Sequence, residues 1–197
     1  MIDPHKHGLQ PYGCGCVLFR DPAVGCFYKH DSPYTYFSSR ELHLGEISLE
    51  CSRPGAAAVA LWATQRLLPL EKDGEFAAGL EDCCAAAQDF YRRVVADPRF
   101  NPGLEPELDI VVFAPVAPSA SAVSARSRRI FDAAAARNLH LAVAELPLGF
   151  FRDVTRLNAD KVSLSCLRSV FMKPEHRAWV ERIWAALSDS ADDVAQS

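Results

Sequence analysis

Met1-Ile2-Asp3-Pro4-His5-Lys6-His7-Gly8-Leu9-Gln10-Pro11-Tyr12-Gly13-Cys14-Gly15-Cys16 is the stretch around which the rest of this 197-residue chain is organised. A short apolar opening runs into Asp-Pro-His-Lys, then a Pro/Gly-rich turn, then an apolar run from Cys14 to Phe19. Asp3, His5 and Lys6 place a carboxylate, an imidazole and a primary amine within four residues. Proline fixes its own φ and pushes the residue before it towards an extended form. The segment is therefore expected to be straight, with His5 and Lys6 projecting to opposite sides unless a turn intervenes. Taken alone, a lysine in such a place is a solvated surface amine, because unpaired lysines are almost never buried.

The bulk composition is that of a globular chain, with 49% hydrophobic and 23% charged residues and a net charge of −4. This length supports a real core in one or two domains. No basic, aromatic-interleaved run argues for a nucleic-acid partner, and Arg126, Arg128 and Arg129 read as the solvated face of a helix. The seven cysteines include an adjacent pair, Cys83-Cys84, and no C-x-x-C spacing. Packing residues of a reducing compartment are the expectation. On a strand, Cys14-Gly15-Cys16 would point both thiols to one face. His30, His43, His140 and His176 lack metal-ligand spacing, so no metal is expected. With no signal peptide and no apolar run long enough to span a bilayer, a cytoplasmic protein without a membrane partner is expected.

Along the chain, residues 14–20 read as a buried strand and residues 25–28 as its hairpin partner. Residues 29–39, with Tyr34-Thr35-Tyr36, read as a loop. Ser38-Ser39-Arg40-Glu41 fits a capping box, and residues 46–51 alternate as a strand does. An Ala/Leu/Trp-rich helix over residues 56–68 is apolar nearly all round and therefore expected to be buried. The longest helix spans residues 74–97, with Phe76, Leu80, Cys83, Ala87, Phe90 and Val94 among its three- and four-residue repeats. Asp97-Pro98 and Asn101-Pro102-Gly103 form the clearest break, and the domain boundary is placed there. Beyond it the pattern is strand (108–115), helix (121–138), strand (139–146), strand (161–172) and a last helix begun by Pro174. The acidic tail from Ser188 is expected to fray. A small α/β domain of about three antiparallel strands, with helices on one face, satisfies this pattern.

Asp3-Pro4-His5-Lys6, followed by Gly13-Cys14-Gly15-Cys16-Val17-Leu18-Phe19-Arg20-Asp21, resembles the cofactor-lysine segment of the pyridoxal 5'-phosphate (PLP)-dependent group II amino-acid decarboxylases. This is the family of aromatic-amino-acid, glutamate and diaminobutyrate decarboxylases. The resemblance continues at Leu42, Gly45-Glu46, Ser52-Arg53-Pro54-Gly55, Leu61-Trp62 and Leu167-Arg168. It covers nearly the whole chain but only the C-terminal part of the family's length. The implied fold is that of a fold-type I PLP enzyme. Residues 1–98 would be the end of the large PLP-binding domain and residues 99–197 the small C-terminal α/β domain.

The resemblance implies a PLP-dependent carboxy-lyase that removes the α-carboxylate of an amino acid through a Schiff base to Lys6. It places Asp3, His5, Ser52 and Arg53 by the cofactor phosphate and Tyr34 or Tyr36 as the acid that protonates the carbanionic carbon. It gives Arg168 the substrate carboxylate, the alternative being an ion pair with Glu145. His7 departs from the pattern, since many family members carry Trp there, and this weakens the aromatic-amino-acid branch in particular. A homodimer is implied. Another PLP-dependent lyase, an aminotransferase of the same fold, or a non-catalytic fragment are the alternatives. The position of Lys6 so near the start leads to the expectation of a truncated chain with weak cofactor binding.

Overall fold

The computed structural model describes residues 2–29, 55–155 and 157–196. They form two compact units, Met1–Leu70 and Glu71–Ser197.

In the second unit, α2 (Glu75–Ala96) is followed by β1 (Phe100–Pro102), β2 (Ile110–Pro115), α3 (Ala120–Ala136), β3 (Ala142–Pro147), β4 (Ser163–Val170) and α4 (His176–Gln196). The strands form one antiparallel sheet in the order β1-β2-β4-β3. The short edge strand β1 is the addition to the three strands expected. It pairs Phe100 with Pro115 and Pro102 with Phe113, and the chain leaves it through Gly103. That residue's N–H donates to Val112 O at 2.9 Å. A Cβ on Gly103 would lie 2.9 Å from the same oxygen, so only glycine fits this approach.

The strand residues alternate between two faces, as the pleat requires. Val111, Phe113 and Leu167 enter a core with α2, α3 and α4, supplied by Phe90, Ile130, Val180 and Leu187. Phe90 is its hub, with ring centroids 5.7 Å from Phe113, 5.2 Å from Phe171 and 5.7 Å from Trp184. Ala114, Leu164 and Cys166 lie on the other face, where Phe151, Leu148, Val154 and Leu157 cover one end of the sheet.

The structure changes three expectations in this region. The sequence break at residues 97–103 ends α2 but not the unit, because α2 carries Phe90, Tyr91 and Val94 into the sheet's core. The compact unit accordingly starts at Glu71, not at residue 99. The acidic tail does not fray: α4 runs to Gln196 with Ser190, Ala191 and Val194 buried. Pro174 lies in a turn before α4, with His176 N–H donating to Lys173 O at 2.9 Å, and not at the first helical position.

In the first unit, α1 (Ala56–Leu67) forms as its Ala/Leu content dictates. Its expected burial is not found, for it has no buried residue, and Val59, Trp62 and Leu67 are exposed. Residues 14–20 are not a strand either. A single bridge joins Ile2 to Cys16, and Val17, Leu18 and Phe19 are exposed. A strand needs a neighbouring strand to pair with along its length, and beyond that one bridge none is offered among the described residues. Pro22–Tyr28 is a 3-10 helix and not a hairpin partner. Asp21 caps it by accepting from Ala23 N–H at 2.9 Å, and Pro22 supplies the preset φ at its start. The loop around Tyr34 and Tyr36, the capping box at residues 38–41, the strand at 46–51 and the Ser52-Arg53 segment lie outside the described residues. Among the described residues, no helix is long and apolar enough to cross a membrane.

Candidate active site

The segment from Asp3 to Gly8 is a turn, which corrects the straight geometry expected from Pro4. Lys6 N–H donates to Asp3 O at 2.9 Å and Gln10 N–H to Pro4 O at 3.0 Å. Asp at the first and Pro at the second position of a β-turn are the residues that such a turn favours, since proline's fixed φ suits both a turn and an extended chain. Gly8 packs on the turn so closely that a Cβ would lie 2.6 Å from Pro4 Cα.

The turn brings the expected carboxylate and amine together. Lys6 Nζ lies 2.9 Å from Asp3 Oδ2, with 57% of the Lys6 side chain exposed. The hydrogen bond from Lys6 holds the Asp3 carboxyl below the usual carboxylate range, against a smaller opposing effect of burial. The His5 ring points the other way, with Nδ1 3.0 Å from Cys14 O. A carbonyl oxygen only accepts, so Nδ1 carries the hydrogen and Nε2 is the nitrogen left for other partners. The Tyr12 ring stands 5.4 Å from the imidazole.

Gln10, which the sequence reading passed over, fastens this turn. Its buried amide donates to Gly8 O at 3.0 Å and to Thr64 Oγ1 of α1 at 2.7 Å. The signal was a lone amide inside a Pro/Gly-rich turn, where a polar side chain that becomes buried must find partners.

Arg168 occupies the middle of β4, across from Val112 of β2 and Ala142 of β3. Residues directly opposite in an antiparallel sheet project to the same side. Arg168 therefore shares a face of the sheet with Val112 and Cys166. It is exposed, and it makes no hydrogen bond or ion pair among the described residues. The alternative pairing with Glu145 is not formed. Glu145 lies an odd number of residues along β3 from the position facing Arg168, so it points to the opposite face. It accepts instead from Ser163 Oγ at 2.5 Å. Beneath Arg168, Cys166 Sγ donates to Ala144 O at 3.3 Å. Burial pushes the Cys166 thiol up, with the Arg168 charge acting in the opposite direction.

Beside Val112 a cleft of about 340 Å³ opens in the same unit, floored by Leu108, Ile110, Val112, Leu146 and Phe150. Nothing in the sequence pointed to it, because its walls come from a loop and three separate elements. Tyr34, Tyr36, Ser52 and Arg53 lie outside the described residues. Among the described residues, no group of three His, Cys, Asp or Glu side chains is placed to hold a metal.

No family model matches the chain. Its sequence is similar to that of an L-tyrosine decarboxylase from Enterococcus faecium, 36% identical over 75 residues, which is 37% of this chain and 12% of that relative. It is 30% identical over 115 residues to a probable L-tyrosine/L-aspartate decarboxylase of Methanothermobacter thermautotrophicus, covering 57% of this chain and 28% of that protein. The matches thus span less than a third of these relatives' length. A solved structure of Oryza sativa TDC with PLP and tryptamine superposes with a TM-score of 0.63 at 12% identity, covering 86% of this chain and 33% of that one. The chain is thus similar in sequence to amino-acid decarboxylases, and its fold is that of part of a PLP-dependent fold-type I decarboxylase.

Proposed function

We propose that the chain is part of a PLP-dependent carboxy-lyase that removes the α-carboxylate of an amino acid, with Lys6 as the cofactor's point of attachment. The observation that carries this reading is the Lys6 amine, presented on a tight turn and more than half exposed, within a sequence similar to amino-acid decarboxylases. The residues fit the cofactor chemically. An accessible primary amine suits an aldehyde, and an imidazole whose Nε2 is not taken up by Cys14 suits a phosphate oxygen. When bound, PLP supplies an electron sink for the pair of electrons left as carbon dioxide departs.

The chain's own residues have separate tasks in this reading. Asp3 holds the amine in the resting state, and its carboxylate must move aside before the amine can react as a nucleophile. His5, with Nδ1 engaged by Cys14 O, turns Nε2 to the phosphate. Ser52 and Arg53 complete the phosphate contacts. Tyr34 or Tyr36 returns a proton to the α-carbon. Arg168 holds the substrate carboxylate, for which its planar fork is suited. A homodimer in the cytoplasm is the setting implied by the family resemblance.

The test is chemical trapping. The full chain is incubated with PLP, reduced with borohydride and digested. The expected result is one added cofactor mass on the peptide containing Lys6 and none in Lys6→Ala. Labelling spread evenly over the other lysines would overturn the assignment.

A further inference from the structure

We propose that Gln10 is the positioning residue of Lys6: its side-chain amide ties the lysine turn to Thr64 of α1 and holds Leu9 in a left-handed backbone conformation, and these two constraints fix the direction in which the Lys6 amine is presented. The proposal rests on the reading of Lys6 as the cofactor's point of attachment and adds to it the device that aims the amine.

The backbone between Lys6 and Gln10 is strained. Leu9 has a φ of 58°, in the left-handed region. The other non-glycine residues found there, among those described, are Asp73 and Asn138, whose short polar side chains tolerate that region. Leucine has no such help, and its side chain is exposed, so burial does not offset the cost. A residue stays in such a conformation only where its surroundings over-determine it.

Gln10 supplies those surroundings. Its backbone N–H donates to Pro4 O at 3.0 Å, which closes the loop that contains Lys6. Its Nε2 donates to Gly8 O, on the other side of Leu9, at 3.0 Å and to Thr64 Oγ1 at 2.7 Å. Leu9 is thus held through both of its neighbours, while its own N–H donates to Lys6 O at 3.3 Å. Both hydrogens of this buried amide are used, so removing the Thr64 hydroxyl would strand one of them.

The anchor is a rigid one. Cys14 Sγ donates to Ala57 O of the same helix at 3.8 Å, and helical residues seven apart lie on one face. One face of α1 therefore backs the chain on both sides of residues 11–13, and Gln10 is the attachment nearer to Lys6. Its hydrogen bonds go to backbone and to Thr64, not to the amine, so its effect reaches Lys6 through the backbone of residues 4–10. A displacement of about 1 Å at a reacting group is enough to cost about a hundredfold in rate.

The experiment uses the full chain with PLP as the probe. Borohydride is added at timed intervals, and the label on the peptides of Lys6, Lys29, Lys72, Lys161 and Lys173 is followed by mass spectrometry. Gln10→Met and Thr64→Val keep the side-chain size and remove the tie. Each is expected to slow labelling at Lys6 by about fivefold or more and to leave the other lysines unchanged. Thr64→Ser, which keeps the hydroxyl, should retain the parent's rate. Leu9→Asn added to Thr64→Val should recover most of the loss, because asparagine needs less support in the left-handed region. A merely structural tie would show neither that selectivity nor that rescue. In protein without PLP, the carbon chemical shifts of Leu9 report its backbone conformation, and they should leave left-handed values in Thr64→Val. A Lys6 rate unmoved in both Gln10→Met and Thr64→Val, a slowing shared by every lysine, or unmoved Leu9 shifts would overturn the proposal.

The two readings fail differently. A parent chain that takes no label at Lys6 defeats the attachment and this proposal with it. A labelled parent whose Lys6 rate is indifferent to the tie defeats the positioning role alone.

Discussion

Arg99 shows how much a single side chain can fasten in this molecule. Its Nε and Nη2 donate to Asp97, Nη1 reaches Asp192 at 2.5 Å, and Nη2 also donates to Ser188 Oγ at 2.8 Å. The turn after α2 is thereby tied to α4. The hydrogen bonds from Arg99 hold the Asp97 carboxyl below its ordinary range, against an opposing effect of burial. A carboxyl with a lowered folded-state pKa adds stability that is fully present above the unfolded value, about 3.9, and is lost as pH falls through the folded one. Asp97→Asn should therefore destabilise the protein at neutral pH by about 1–2 kcal/mol, the figure reduced because Arg99 is a third exposed. The variant should also lose less stability than the parent between pH 5 and strongly acidic conditions. Urea denaturation at a series of pH values checks both, and parallel curves for the two proteins would contradict the assignment.

At the scale of the element, legibility followed whether burial could be inferred from the pattern. α2 was readable because Cys83, Ala87, Phe90 and Val94 repeat at helical spacing and are buried in that order. β2 was readable because Ile-Val-Val-Phe is both β-favouring and bounded by proline. The run from Cys14 to Phe19 was misread because an apolar run specifies a strand only when a neighbour completes it. The turn at Asp3 was misread because proline's φ permits two conformations and only the Lys6 N–H decides between them.

The end of α4 was misread from its Ser and Asp content, while Val180, Leu187, Ala191 and Val194 continue one buried stripe. Arg137 also pairs with Asp193 there at 2.5 Å, and Arg129 Nη2 donates to Val194 O at 3.1 Å. Val194→Asp would remove a buried valine, strand a carboxylate in its place and add negative charge at a helix C-terminus. The expected cost is about 3 kcal/mol, read as a fall in thermal midpoint of about 10 °C by circular dichroism. An unchanged midpoint would mean that the last turns do not pack.

At the scale of the whole molecule, the two units differ in how much core each owns. Of the buried apolar residues among those described, only Pro4 and Cys14 belong to Met1–Leu70, and all the others, including the Phe90 cluster, belong to Glu71–Ser197. A sheet of four strands covered by three helices satisfies its own backbone and buries its own apolar face. It needs no further element to become cooperative. Residues 71–197 expressed alone should therefore unfold in a single sigmoidal transition, with a thermal midpoint within a few degrees of that of the second unit in the full chain. The covalent label at Lys6 requires the other unit and should be absent. A broad, non-cooperative melt of residues 71–197 would show that the core assigned to this unit is not sufficient to hold it.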